Sequence, residues 1–345
     1  MLKKMGKFKN IPQQMIKIYL DWNVLTTLNQ IQNIENHAEK IIFETILNIV
    51  TNTETKIVVP FSNAHLNDLM KSYKKGERER VSNALNFISF VTQNICLSQY
   101  WNEENSIWHF RNPNEYFESL IEDEKENSII SIESITEIFS KYGMGNIFEM
   151  YKLIPHNINF KQCEVSKIPF VSLLKKAKVE NSIYAVMEDF FEITNEIKNN
   201  PSFYNELRSY FTSYIKLDPN VNNVENVIEL LDKTMPKTML NKSFTELYIE
   251  NNKIESSKNK DFSKITGMFM QLDFIGFSSD KLNEKNKYDN LFNDALHCFY
   301  GAHCDIFITS DKKMIKKTKA LYKSLEINTL VLTPRQFIES LKQIE

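Results

Sequence analysis

Four aspartates stand at positions from which carboxylates can act together: Asp21, Asp68, Asp294 and Asp311. Asp21 closes an apolar run of Ile16, Ile18, Tyr19 and Leu20. Asn23 follows, and an apolar-periodic segment starts behind it. This pattern predicts a buried strand over 16–20 that feeds a helix from about 22, with the carboxylate at the strand's C-terminal end. An aspartate there either caps the helix or belongs to a site. KIVVPFSNAHLNDLM, residues 56–70, repeats the arrangement. Ile57, Val58 and Val59 predict a short strand and Ser62 or Asn63 a helix cap, while His65 and Asp68 share one helix face at i and i+3. NDALHCFYGAHCDIFITSDKKM, residues 293–314, predicts a helix from about 290 to 303 with Asp294 at its start. A strand of Ile306, Phe307 and Ile308 follows, and then Thr309-Ser310-Asp311.

If these strands run parallel, their C-terminal ends share one edge, where open parallel sheets bind ligands. The four carboxylates then converge. Carboxylates packed together repel and raise one another's pKa. A hard divalent cation relieves that repulsion, and oxygen donors alone suit Mg²⁺ or Mn²⁺. His65 lies three residues before Asp68 and His297 three after Asp294, so each faces the way of its acid. Three roles are open to them: a hydrogen-bonded neighbour of the site, a substrate-phosphate contact or general acid, or a ligand in a mixed His/Asp site suited to Mn²⁺ or Zn²⁺. Asp273, Asp289 and Asp305 read as solvated or capping residues. Lys312, Lys313, Lys316 and Lys317 begin directly after Asp311 and read as phosphate contacts flanking the site.

These segments resemble the PIN domain, a metal-dependent nuclease fold. YLDWNVL resembles that family's opening D-x-N signature. AHLNDLM is similar to the segment where the family usually carries a Glu; here Asp68 stands, one methylene shorter. NDALHCFYGAHCDIFITSDKKM resembles the C-terminal signature of an Asp on a helix and a strand ending in T-x-D. The resemblance implies that Asp21, Asp68, Asp294 and Asp311 form a metal-binding, catalytic quartet. It makes Asn23 and Thr309 supporting residues that orient a carboxylate or a metal-bound water. The resemblance covers about residues 16–100 and 288–341. The family's compact members have no counterpart of the long stretch between Asp68 and Asp294.

The expected fold is therefore α/β, a PIN-like three-layer fold with a central parallel sheet. Residues 1–102 and 288–345 would be its two halves. Residues 103–287 would be a helical insertion or second domain, read from amphipathic segments such as EYFESLIEDE, SITEIFSKYG, NSIYAVMEDFFEITNEIK and PSFYNELRSYFTSYIK. A third strand over 95–101, ICLSQYW, fits the same βαβ rhythm. The first residues, with Lys3, Lys4, Lys7 and Lys9, read as a solvated basic arm.

With 345 residues, 42% hydrophobic and 25% charged, the chain can bury a large core. Its net charge of −2 confines any nucleic-acid surface to a local patch. Seven glycines, with no GxxxxGK[ST] and no GxGxxG, speak against a phosphate-cradling loop. Cys96, Cys163, Cys298 and Cys304 form no CxxC pair, and a zinc site at Cys298, His303 and Cys304 lacks a second ligand pair. The absence of a secretory h-region or a long apolar run predicts reduced thiols and a cytoplasmic chain without a membrane partner.

The function these readings predict is an endoribonuclease using Mg²⁺ or Mn²⁺, in which Asp21 and Asp311 ligate the metal directly. RNA over DNA follows from the resemblance alone, as does a toxin or defence role on single-stranded or loop RNA such as tRNA, with an inhibitory or activating protein partner compatible with it. A structure-specific DNA nuclease and a non-catalytic RNA-binding scaffold are the alternatives.

Overall fold

The computed structural model describes residues 15–52, 54, 56–100, 103, 105–126, 147–165, 169–215, 226–237, 242–247 and 260–341. The basic arm and the SITEIFSKYG segment lie outside the described residues. In chain order the first elements are β1 (Ile16–Leu20), α1 (Trp22–Asn29), α2 (His37–Thr51), β2 (Ile57–Val58), α3 (Asn63–Lys74) and α4 (Arg78–Thr92). Next come β3 (Ile95–Ser98), β4 (Ile107–Phe110), α5 (Pro113–Glu126), α6 (Ile147–Leu153), α7 (Phe160–Val165), α8 (Ile183–Asn199) and α9 (Pro201–Ile215). The last are α10 (Val227–Thr234), α11 (Lys260–Phe274), α12 (Tyr288–Gly301), β5 (Ile306–Ile308), α13 (Lys312–Ser324), β6 (Leu330–Leu332) and α14 (Pro334–Leu341).

The fold is α/β, with a four-stranded sheet in the order β2-β1-β5-β6. Every neighbouring pair is parallel: Ile16 faces Ile57, Ile18–Leu20 face Ile306–Ile308, and these in turn face Leu330–Leu332. The strands near 16–20, 57 and 306 are thus neighbours, with the C-terminal strand beside them, as the apolar runs predict. β3 departs from the expected rhythm. It pairs antiparallel with β4, a strand the helical reading of residues 103–287 did not contain, and a parallel bridge joins Cys96 to Phe61.

Successive side chains of a strand point to opposite faces, and both faces here are covered. On one, Ile18, Leu20 and Ile308 pack with Leu25 and Leu28 of α1, Phe43 and Ile46 of α2, and Phe337 of α14. On the other, Tyr19 lies against Phe307 and Tyr300, with ring centroids 5.6 and 6.4 Å away. Gly301 ends α12 directly over Phe307; a Cβ there would come within 2.9 Å of the ring, so only a bare Cα allows the helix to close down on β5.

The chain divides into two compact units, one of residues 1–119, 217–280 and 290–345 and one of residues 120–216 and 281–289. α10 and α11 fall in the unit that holds the sheet. The described secondary-structure elements of the second unit are helices. Its core gathers Leu174, Ala177, Ala185 and Ile193. Its buried Asp189 accepts the amides of Lys176 and Ala177 at 3.0 and 2.8 Å, a structural use of that carboxylate. Among the described residues no helix is long and apolar enough to cross a membrane.

Candidate functional site

The site is built at the C-terminal edge of β1 and β5. Asp21 follows the last residue of β1, and its amide donates to the Ile308 carbonyl at 2.9 Å. Its carboxylate caps α1, Oδ1 accepting the Trp22 amide at 2.7 Å. Oδ2 accepts the Asn23 amide nitrogen at 2.6 Å and the Thr309 hydroxyl at 2.5 Å. Asp21 thus caps α1, and Asn23 and Thr309 orient its carboxylate. The Thr309 hydroxyl also accepts the Asp311 amide at 3.1 Å, so Thr309 links the Asp311 backbone to the Asp21 carboxylate.

Asp68 arrives from α3 and Asp294 from α12. Asp294 does not open its helix, as the sequence reading had it. α12 begins at Tyr288, which places Asp294 well inside the helix and His297 about one turn on. His297 joins the two helices to β1. Its Nε2 lies 3.1 Å from Asp68 Oδ2, and its Nδ1 lies 2.9 Å from the Tyr19 hydroxyl and 3.8 Å from Asp21 Oδ1. Tyr19 reaches on to Ser62 Oγ at 2.8 Å. Asn293 completes the Asp68 shell, donating to Oδ2 at 2.8 Å, and Lys71 binds Oδ1 at 2.9 Å.

The electrostatics follow from this crowding. Burial, and then the charge of Asp21, pushes the Asp294 carboxyl well above the usual carboxylate range. Burial likewise raises Asp21; the nearby His297 and the Thr309 hydrogen bond work against that shift without cancelling it. Burial also acts on Asp68, but its hydrogen bond and charge contact with His297, with the help of Lys71, bring it below the ordinary value. For His297 burial favours the neutral ring, yet the bond to Asp68 and the charges of Asp21, Asp68 and Asp294 together raise its pKa. The acids around His297 therefore favour its protonated form against the pull of burial. His65 has the opposite fate. Its Nε2 donates to the Leu20 carbonyl at 2.7 Å and its Nδ1 accepts the Ser62 amide at 3.0 Å, so both nitrogens are spent on tying α3 to β1. Burial and the neighbouring His297 bring its pKa down to about 3, and it stays neutral.

The structure brings together Asp21, Asp68, Asp294, His297, Asn23 and Thr309. Asp311 is their neighbour through Thr309, but its side chain is exposed and Oδ1 caps α13, accepting the amides of Lys313 and Met314 at 2.7 and 3.0 Å. Two expectations are corrected. Lys317 is not a phosphate contact: its side chain is 1% exposed, and Nζ lies 3.0 Å from Asp273 Oδ2 and 3.4 Å from Asp280 Oδ2. Asp273 in turn is neither solvated nor a cap but the buried partner of that lysine. Lys313 binds the same turn, at 2.8 Å from Asp280 Oδ1, while Lys312 and Lys316 are exposed. Tyr19, Ser62 and Asn293 were not foreseen as parts of the site. Tyr19 carries no signal in sequence, because an inward tyrosine in an apolar strand reads as core; Asn293 adjoins Asp294 but reads as an ordinary helical residue.

No family model, no curated protein and no solved structure matched this chain. The site therefore rests on its own geometry. Its donor chemistry fits a hard cation, since carboxylates drawn close enough to raise each other's pKa gain from one. Among the described residues no group of three or more His, Cys, Asp or Glu is placed so that it could hold a metal ion. The fit is to an ion held by one or two carboxylates that keeps several of its waters, a common mode for Mg²⁺.

The raised Asp294 carboxyl makes a stability prediction. A carboxylate whose folded pKa lies above its unfolded value destabilises the fold fully above the folded pKa, and not at all below the unfolded one. Without metal, Asp294→Asn should therefore melt higher than the wild type at neutral pH. The gain should fade as pH falls toward the ordinary carboxylate range. Thermal melts from pH 7 down to pH 4 in EDTA test it; a variant that melts lower at neutral pH would contradict the charge repulsion read here.

Proposed function

We propose that this chain is a metal-dependent endoribonuclease of PIN-like fold, acting on single-stranded or loop RNA such as tRNA, in the manner of a toxin or defence effector. The observation that carries the reading is the convergence of Asp21, Asp68 and Asp294 around His297 at the C-terminal edge of a parallel sheet. The resemblance of YLDWNVL and NDALHCFYGAHCDIFITSDKKM to PIN signatures supports the same reading and is the reason for choosing RNA.

Asp21 and Asp294, buried together, would hold Mg²⁺ or Mn²⁺; Asp311, expected as a direct ligand with Asp21, instead turns its Oδ1 onto the first amides of α13. Such an ion supplies an activated water and charge stabilisation at a phosphodiester. Asn23 and Thr309 fix Asp21 Oδ2, which leaves Oδ1 with the Trp22 amide as its one close hydrogen-bond partner. His297 holds Asp68 on one side and Tyr19 on the other. It positions the carboxylates rather than shuttling protons, since both ring nitrogens are engaged and the ring is buried.

The test is a gel assay with end-labelled single-stranded RNA and DNA. Cleavage of RNA in Mn²⁺ is expected, with none in EDTA and slower cleavage of DNA. Cutting that persists in EDTA, or intact RNA across Mg²⁺ and Mn²⁺, would remove the proposal.

A further inference from the structure

A pocket of about 310 Å³ opens beside the carboxylate edge, lined by Asn36, Ala38, Glu39, Phe43, Ser310 and Arg335, among others. We infer that it seats a nucleobase of the strand being cut, and that it prefers a base carrying an exocyclic amino group; the inference rests on the nuclease reading above. Three observations carry it.

The first is position. Ser310 forms one wall and stands between Thr309 and Asp311. Its amide donates to Asn23 Oδ1 at 3.0 Å, and Asn23 holds Asp21. The pocket wall and the acidic cluster are thus joined by two hydrogen bonds. The Thr309 amide donates to the Leu332 carbonyl at 3.1 Å, which sets the start of α14 beside Ser310 as the other wall. A strand whose phosphate reached Asp21 would carry a neighbouring nucleoside past this opening.

The second is shape and chemistry. Ile42, Phe43 and Pro334 add an apolar lining, a surface on which the flat face of any base can lie. Arg335 stands at the rim with its side chain 72% exposed, where a guanidinium can stack on a base or meet a phosphate. A volume near 300 Å³ is at the small end of ligand sites, fit for one ring system rather than an extended ligand.

The third is the sign of the polar wall. Glu39 offers carboxylate oxygens that only accept hydrogen bonds. Adenine, cytosine and guanine present a two-proton amino group to such an acceptor, where uracil has only its single ring N3–H to offer and turns carbonyl oxygens, which the carboxylate repels, to either side. A phosphate would be repelled by Glu39, so the pocket suits a base better than the backbone. Asn36 is fixed by its own cap, its Oδ1 accepting the Glu39 amide at 3.1 Å, which steadies this wall.

The experiment fills the pocket without touching the acids. Ala38 and Glu39 are exposed at the first turn of α2, so Ala38→Phe and Glu39→Ala should fold and melt like the wild type. On an oligoadenylate, Ala38→Phe should raise KM about tenfold with kcat little changed, and Glu39→Ala should erase the preference for oligoadenylate over oligouridylate. Independently of cleavage, AMP titrated into the wild type should shift the methyl resonances of Ile42, and should not in Ala38→Phe. AMP binding without any cleavage would retain the pocket and remove the nuclease reading. Cleavage with unchanged KM in both variants, or no AMP shift at Ile42, or a shift equal in Ala38→Phe, would overturn the pocket assignment.

Discussion

Asp21→Asn should abolish RNA cleavage, by roughly a thousandfold or more, while leaving the protein folded. Metal charge stabilisation is worth several kcal/mol, and each ~1.4 kcal/mol is tenfold in rate. Asn keeps the outline of the side chain but takes a full negative charge from the cation's surroundings, and hard cations hold a neutral amide less tightly than a carboxylate. The effect on the metal-free fold is a balance. Oδ2 accepts both the Asn23 amide and the Thr309 hydroxyl. If the new amide keeps its oxygen there, its NH₂ faces the Trp22 amide, and an unmet buried donor costs about 1–3 kcal/mol. Against this, burial and the charge of Asp68 already disfavour the Asp21 carboxylate, so neutralising it returns part of that cost. The metal-free melting temperature should lie within a few degrees of the wild type. The Mn²⁺-induced rise should vanish, because stabilisation by a ligand scales with its affinity for the folded state. Melts with and without Mn²⁺ beside the gel assay decide it. A variant that cuts RNA at the wild-type rate would remove this carboxylate from the chemistry.

Lys317→Met should be the most destabilising of the lysine substitutions on α13. Nζ lies between Asp273, which is fully buried, and Asp280, and stands 4.6 Å over the Phe269 ring. Removing the cation takes a buried charge partner from Asp273, and breaking such a pair costs about 3–5 kcal/mol. The double variant Lys317→Met/Asp273→Asn should regain most of the loss. Its Asn oxygen still accepts the Asp280 amide that Asp273 Oδ2 takes at 2.9 Å, and no naked charge remains. Lys312→Ala, on an exposed residue of the same helix, should change stability by less than about 0.5 kcal/mol. Urea titrations of the three variants separate these outcomes. If Lys317→Met unfolded within ~1 kcal/mol of the wild type, the buried pair would not be holding α13 to α11. The Lys317 charge also bears on Asp294, countering part of that carboxyl's rise.

Much of the sheet was legible because each of its main strands is buried on both faces and reads as an apolar run. β1 and β5 fall where the runs of 16–20 and 306–308 put them, and β1 ends at the aspartate that stops its run. β4 was hidden. Ile107–Phe110 sits among polar residues and pairs only with β3, so its short IWHF pattern carries no clear period. The inward turn of Lys317 had a signal that its neighbours masked. Met314, Lys317, Thr318 and Leu321 are the buried stripe of α13 at helical spacing, and Lys317 lies on it. Read as one of a run of lysines, it looked solvated; read by phase, it faces the core.

By itself the sequence determined the local pieces: strands that end at acids, helices that start behind caps, and carboxylates on chosen helix faces. These depend on residues within a few positions of one another, through apolar periodicity and capping chemistry. The tertiary structure alone decided which groups share charge. His297 meets Asp68 across 229 positions and Lys317 meets Asp273 across 44. The reason is physical. The energy of a buried charge depends on what lies within a few ångströms in space, and only chain folding chooses those neighbours.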